Sequence, residues 1–143
     1  MKQIQRSLCA LLMVWSPACG SENASPTTLA HLDRTVASNA GGFELRWESS
    51  AEAPPLNEEY DFALSLAQPD GTPLDLPVDH LSLGASMPQH GHGMNQDPLI
   101  ERTAPGHYLV RGMRLHMTGR WEVYVDVRQG PVTERAEFPL ELE

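Results

Sequence analysis

From Phe43 onward, the chain alternates apolar and polar residues in short runs. A period of two places the apolar side chains on one face of a β-strand, so the runs predict half-buried antiparallel strands. The apolar positions that this pattern turns toward a core are Phe43, Leu45 and Trp47; Phe62, Leu64 and Leu66; Leu81, Leu83, Ala85 and Met87; Trp121, Val123, Val125 and Val127; and Phe138, Leu140 and Leu142. No segment has the 3.6-residue periodicity of an amphipathic helix.

One run changes phase in the middle. The first phase is occupied by Tyr108 and Val110, and the second by Met113, Leu115 and Met117. A β-bulge at Gly112 would put both sets on the core face, and glycine is the residue that best tolerates such a bulge. Beyond the bulge, the pattern predicts that Arg114 and His116 point outward.

Turn-forming sequences separate the runs. They are "PDGTP" at 69–73, "APG" at 104–106, "TG" at 118–119 and "QGP" at 129–131. Short strands with turns between them favour two packed sheets. We predict an all-β fold over residues 40–143, an immunoglobulin-like antiparallel β-sandwich of about seven strands.

The first 18 residues have the pattern of a signal peptide. Lys2 and Arg6 precede the apolar run "LCALLMVW", which is too short to span a bilayer. Cys19 follows a small residue, so we predict cleavage before it and lipidation of its thiol, with 19–39 as a flexible tether. Ordinary cleavage after Ala18, giving a soluble periplasmic or secreted protein, is the alternative.

The residue after Cys19 is Gly20 rather than an acidic residue. Among lipoproteins of this kind, that choice indicates the outer membrane. We therefore expect a location in the cell envelope, anchored to the outer membrane and facing the periplasm. The mature chain would keep Cys19 as its one cysteine, which rules out an internal disulfide and a thiolate metal cluster.

The net charge of the mature chain limits which partners it can bind. Removal of Lys2 and Arg6 leaves eight arginines against nineteen acidic residues, a mature net charge of −11. A surface of this sign disfavours nucleic acid and anionic membrane surfaces. The membrane contact that we expect is made through the N-terminal lipid alone.

The stretch "MPQHGHGM" at 87–94 belongs to a cluster of soft ligands. All four methionines of the mature chain fall within 31 residues, together with four of its six histidines. Thioether sulfur selects Cu(I), and imidazole binds both oxidation states of copper; zinc sites rarely use methionine. We predict a mononuclear copper site, with Cu(I) favoured and Cu(II) as the alternative, built from His90, His92, Met94, His116, Met117 and Met87.

Other interpretations of these residues stay open. Met87 and Met113 lie on apolar faces, where a methionine usually serves packing, and His80 and His107 have no close ligand partners in sequence. His90, His92 and His116 have the ligand count of a catalytic three-histidine zinc site. No general base accompanies them, so we expect no enzyme. A structural or interaction domain without metal is the remaining alternative.

The segments "MPQHGHGM" (87–94) and "GHYLVRGMRLHMTGRW" (106–121) resemble the YtkA-like family, which is related to FixH-type domains. The matching positions are Met87-Pro88, Gly106, Tyr108, Gly112-Met113, Met117, Gly119 and Trp121. The resemblance implies an immunoglobulin-like sandwich outside the cytoplasm, often a lipoprotein, with a link to copper handling. It implies no catalytic residue. A copper ion and another exported copper protein are the partners that we expect.

Overall fold

The computed structural model describes residues 32–49 and 53–143, which form nine strands and one 3-10 helix. The strands are β1 (Leu32–Ala37), β2 (Glu44–Ser49), β3 (Tyr60–Ala67), β4 (Leu81–Met87), β5 (His92–Gly93), β6 (Leu99–Ala104), β7 (His107–Met113), β8 (Gly119–Gln129) and β9 (Val132–Leu142); the helix is η1 (Val78–His80). None of the helical structure in these residues is long and apolar enough to cross a membrane.

The strands form two antiparallel sheets. One has the order β1-β2-β3-β7-β6, and the other has the order β5-β4-β8-β9. Without β1 and β5, the seven remaining strands have the order of a constant-type immunoglobulin sandwich, in which A-B-E-D faces C-F-G. The predicted all-β sandwich is confirmed, with β1 and β5 added at the sheet edges.

Strand β1 corrects one predicted boundary. The sequence assigned residues 19–39 to a tether, yet Leu32–Ala37 pair with Glu44–Ser49 along the edge of the first sheet. The strand was missed because backbone hydrogen bonds hold it, and only Arg34 and Val36 are half-buried among its described side chains. The predicted signal peptide and residues 19–31 of the proposed tether, Cys19 included, lie outside the described residues.

The core fills the space between the two sheets. Every inward position of the five uninterrupted runs is buried. In the run that changes phase, Tyr108, Val110, Met113 and Leu115 are buried, but Met117 is exposed because the strand has ended before it. At its centre, Trp47 stacks on Phe62 with ring centroids 3.5 Å apart, and it meets Phe138 of the opposite sheet edge-on at 5.3 Å. Burial of these large side chains supplies the main driving force for the sandwich, and the core does not depend on any ligand.

Gly112 forms the predicted bulge. Arg111 and Gly112 together lie opposite Asp61, and Gly112 has a φ of 71°, which favours glycine. The Asp61 carboxylate accepts hydrogen bonds from the Gly112 N–H at 3.0 Å and from the Arg111 guanidinium at 3.1 Å. The bulge shifts the phase of β7 by one residue, so Val110 and Met113 both reach the core.

Three connections of the described residues cross between the sheets, one at one end of the sandwich and two at the other. Residues 68–80 lead from β3 to β4, and residues 88–98 lead from β4 through β5 to β6. We call the end with residues 68–80 the distal end. The end with residues 88–98, where residues 114–118 also cross from β7 to β8, is the site end.

Candidate metal centre

The histidine-rich loop is a tight hairpin between β4 and β5. Met87 pairs with His92, and the Met87 carbonyl accepts hydrogen bonds from the N–H groups of His90 and Gly91, both at 3.0 Å. Gly91 has a φ of 69°, so glycine suits this turn. The hairpin fixes the positions of both histidines relative to the sheet.

Gly93 allows the hairpin to lie close against β4. A Cβ atom at Gly93 would come 2.9 Å from the carbonyl oxygen of Ala85. That same oxygen accepts a hydrogen bond from the Met94 N–H at 3.0 Å. Met94 is half-buried and packs against the core, a packing role that its position in a polar loop did not predict.

The segment after β7 brings His116 to the same end. Strand β7 ends at Met113, and the fully buried Leu115 then bridges to Leu56 in parallel. His116 and Met117 follow outside any strand. The indole N–H of Trp121 donates to the Met117 carbonyl at 2.9 Å, which fixes this segment against β8.

The imidazole rings of His90, His92 and His116 form a row at the site end. The ring centroids of His90 and His92 are 5.7 Å apart, and those of His92 and His116 are 5.4 Å apart. The rings of His92 and His116 both contact the indole of Trp121, at 6.1 and 5.5 Å, with interplanar angles of 71° and 72°. His92 therefore lies between the other two histidines.

Each neighbouring pair has a separation suited to a shared ion. A metal–imidazole bond of about 2 Å puts the metal about 3 Å from the ring centroid, so two rings at about 120° lie about 5.5 Å apart. Across residues 32–49 and 53–143, however, no three His, Cys, Asp or Glu side chains converge closely enough to hold a metal. The structure thus gives two successive pairs of imidazoles rather than three around one point.

His116 has an unpaired polar atom. Its Nδ1 is buried and has no hydrogen-bond partner, a state that costs about 1–3 kcal/mol for a polar group. His92 Nδ1 lies 3.4 Å from the Gly93 carbonyl oxygen, beyond the usual hydrogen-bond length. His80 Nδ1 is also unpartnered, but His80 lies in η1, at the distal end of β4.

The four thioethers differ in their surroundings. Met87 is fully buried and lies opposite His92 in the β4–β5 pairing, so the two side chains share a face of the sheet. Met117 is 37% exposed. The Met113 sulfur is buried in the core and accepts a hydrogen bond from the Tyr60 hydroxyl at 3.2 Å. Burial raises the pKa of Tyr60, which keeps this donor protonated.

Gln96 joins the connection at residues 88–98 to β7 by hydrogen bonds. Its side-chain amide donates to the Gly112 carbonyl at 2.8 Å and to the Glu59 carboxylate at 3.0 Å. The bulge is thereby joined to the histidine hairpin through one side chain. The sequence offered no signal for this link, because it depends on the carbonyl direction that the bulge imposes.

An open groove of about 490 Å³ runs along β4 beside the hairpin. His92, Met94 and Asp97 line it together with the outer side of β4. Three of the six proposed ligands, Met87, His92 and Met94, therefore border a solvent-accessible space through which an ion can approach.

Comparisons of the chain with family models, with curated proteins and with solved structures found no match. Membership of the YtkA-like family therefore stays a prediction from the motif residues at 87–94 and 106–121.

Proposed function

We propose that this protein is an exported, membrane-tethered copper-binding protein of the YtkA-like kind that acts as a copper chaperone, buffer or resistance factor. The observation that carries the proposal is the juxtaposition of His92 and His116, with a buried, unpartnered nitrogen on His116. Two histidines from separate segments lie side by side without a hydrogen bond between them, and packing alone does not require imidazoles there.

The donor set favours copper over zinc. Two imidazoles with a thioether nearby suit Cu(I), which accepts low coordination numbers and soft ligands. Met87 and Met117 are the thioethers next to this pair, in pairing and in sequence respectively. A structural zinc site takes four N, O or S ligands, and none of the His, Cys, Asp or Glu groups in the described part of the chain supplies even three.

One observation favours the second candidate, a structural or interaction domain without metal. Met87 lies in the core, and Met94 packs against it, so both methionines have a packing function. The His92–His116 pair distinguishes the two candidates: packing against Trp121 accounts for the two rings, but copper binding also accounts for the unpartnered nitrogen of His116. The zinc enzyme is the weakest candidate, since the three histidines do not surround one point.

Export and anchoring belong to the proposal through the sequence alone. The pattern "SPACGSEN" supports a mature chain that begins at lipidated Cys19. Intact mass of the protein isolated from cells tests it. A mature chain that starts at Cys19 with an unmodified thiol would contradict the anchor, and the metal proposal would stand unchanged.

The decisive experiment compares two histidines that both have an unpartnered Nδ1. Cu(I) affinity is measured by competition with a chromophoric chelator for the parent, for His116→Ala and for His80→Ala. We expect one Cu(I) per chain, a loss of about 10–100-fold in affinity for His116→Ala and no change for His80→Ala. Copper uptake no higher than background, or equal affinity in the His116 variant and the parent, would refute the proposal.

The metal-free protein should keep its fold. The core between the sheets is complete without the hairpin, so copper adds stability by mass action and does not create the structure. Far-ultraviolet circular dichroism of the metal-free chain should show a β-sheet spectrum. A disordered spectrum that copper converts to β-sheet would show that the site is a folding nucleus.

A further inference from the structure

We propose that the three histidines form a two-step path for the ion, in which His90 captures it at the surface, His92 holds it throughout, and His116 replaces His90 at an inner position. This inference rests on the proposed copper binding and adds the direction in which the ion moves.

The three rings differ in depth. His90 is exposed, whereas His92 and His116 are half-buried and the Nδ1 of His116 is fully buried. Within the described residues, ring contacts join His90 to His92 and His92 to His116, but none joins His90 to His116. An ion therefore meets the exposed pair first and can reach the deeper pair only through His92.

His92 is common to the outer and inner pairs, so the ion remains bound to the protein while it moves from one pair to the other. With His92 bound throughout, the bond from the His90 nitrogen breaks and the bond from the His116 nitrogen forms, so the number of imidazoles on the ion is two before and after. Each imidazole binds in its neutral form through an unprotonated nitrogen, so no proton is transferred. The copper stays in the same oxidation state, and the step needs no oxidant or reductant.

The inner position is the more favourable one. His116 has a nitrogen that already lacks a hydrogen bond, so binding an ion there replaces no existing contact. The inner rings also pack against Trp121, whose indole is fixed by the hydrogen bond to Met117. Binding at these ordered rings costs less conformational entropy than ordering the exposed side chain of His90.

Trp121 provides a signal for the inner position. Its indole contacts the rings of His92 and His116, and within the described residues no ring contact joins it to His90. A copper ion at the inner pair therefore quenches the fluorescence of Trp121 more than an ion at the outer pair. Trp47, the other tryptophan of the described residues, is in the core against Phe62 and Phe138. A Trp121→Phe variant identifies which indole is quenched.

The experiment measures equilibrium affinity and loading rate on the same proteins. Cu(I) is supplied from a weak chelator under anaerobic conditions, and quenching is followed by stopped flow for the parent, His90→Ala, His116→Ala and the control His107→Ala. His107 is an exposed histidine at the other end of β7. We expect His90→Ala to slow quenching about tenfold while its Kd changes less than about threefold.

His116→Ala should show the opposite behaviour. It should keep weaker binding at the outer pair, measured by the chelator, with little quenching of Trp121. An unchanged loading rate in His90→Ala would overturn the path. An equal loss of affinity in His90→Ala and His116→Ala would also overturn it, because both would then be ligands of one site. Absence of Cu(I) binding in the parent protein would instead refute the proposed function itself.

Discussion

The two ends of the sandwich differ in how their polar groups are paired. At the distal end, the Tyr108 hydroxyl accepts a hydrogen bond from the Leu76 N–H at 2.8 Å and donates one to the Leu76 carbonyl at 2.9 Å. Asp75 accepts two hydrogen bonds from Arg102, each at 2.6 Å. At the site end, His116 Nδ1 and Arg114 Nε are buried without partners, and among residues 68–80 of the distal end His80 Nδ1 is the one such atom.

This contrast separates structural from functional polar groups. Buried polar atoms are nearly always satisfied, so the unpaired ones need an explanation such as a ligand. Hydrogen bonds with Arg102 and Tyr108 hold Asp75 and Leu76 of the distal connection in place. Its one buried nitrogen without a partner, His80 Nδ1, has no second imidazole of the described residues beside it and serves as the control for the site end. The site end places the unpartnered imidazole of His116 beside the imidazole of His92, an arrangement suited to binding an ion. The following tests ask whether substitutions at the two ends have separate effects.

The largest expected effect is on metal affinity. Replacing His90 and His92 together by Ala removes both imidazoles of the hairpin, and we expect tight copper binding to fall by more than about 100-fold. The unfolding curve of the metal-free protein should hardly move, because neither side chain is in the core. Chelator competition and denaturation measure the two quantities. Parent-like Cu(I) affinity in the double variant would mean that the hairpin is not the site.

At the distal end, the expected effect is on stability. Tyr108→Phe removes both hydrogen bonds to Leu76 and leaves that backbone partly buried and unpaired. We expect a loss of about 1–2 kcal/mol in the free energy of unfolding, with Cu(I) affinity unchanged. Tyr124→Phe is the matched control, because its ring can still pack under Arg135. A change in copper affinity in Tyr108→Phe would show that the two ends are coupled.

Met94 tests whether packing and binding can be separated in one side chain. Met94→Leu keeps an apolar side chain of similar size and removes the thioether. If the sulfur binds the ion, Cu(I) affinity should fall about three- to tenfold and Cu(II) affinity should fall less, because thioether prefers the softer ion. Competition with chelators specific for each oxidation state gives the ratio. An equal change for both ions would assign Met94 to packing alone.

The smallest effect concerns pH at the distal end. Hydrogen bonds from Arg102 lower the pKa of Asp75 below its ordinary value. Since the pKa is lower in the folded chain, Asp75 adds stability above its unfolded-state pKa of about 3.9, and this is lost as pH falls through the folded-state value. Asp75→Asn should therefore be less stable than the parent at neutral pH and nearly equal to it in strong acid, by urea unfolding. An equal deficit at both pH values would show that the effect is not electrostatic.

Most of the fold could be predicted because most strands bury one complete face. The period-two pattern identified the inward residues of β2, β3, β4, β8 and β9, and the change of phase located the bulge at Gly112. Besides the two-residue β5, strands β1 and β6 were missed, both for the same physical reason. They are edge strands held by backbone hydrogen bonds, and β6 turns only Ile100 and Ala104 partly inward. Side-chain periodicity carries little information about such strands.

The candidate site was less accessible to prediction. Residue types alone could indicate His90, His92 and His116 as a group, since imidazoles have no packing reason to cluster in polar segments. They could not show that His92 lies between the other two, because this depends on the Met87–His92 pairing and on the path after Leu115. Nor could they show that Met94 packs against the core.

The single extra residue in β7 has a consequence for how this chain tolerates changes in length. With Arg111 and Gly112 both opposite Asp61, the strand leaves the sheet one residue out of step with its beginning. Deletion of Gly112 would preserve every ligand and still turn the following residues over, so that His116 would face inward and Leu115 outward. The number of residues in β7, as well as their chemistry, therefore decides which side chain faces the site. An insertion or deletion there would be more damaging than most substitutions.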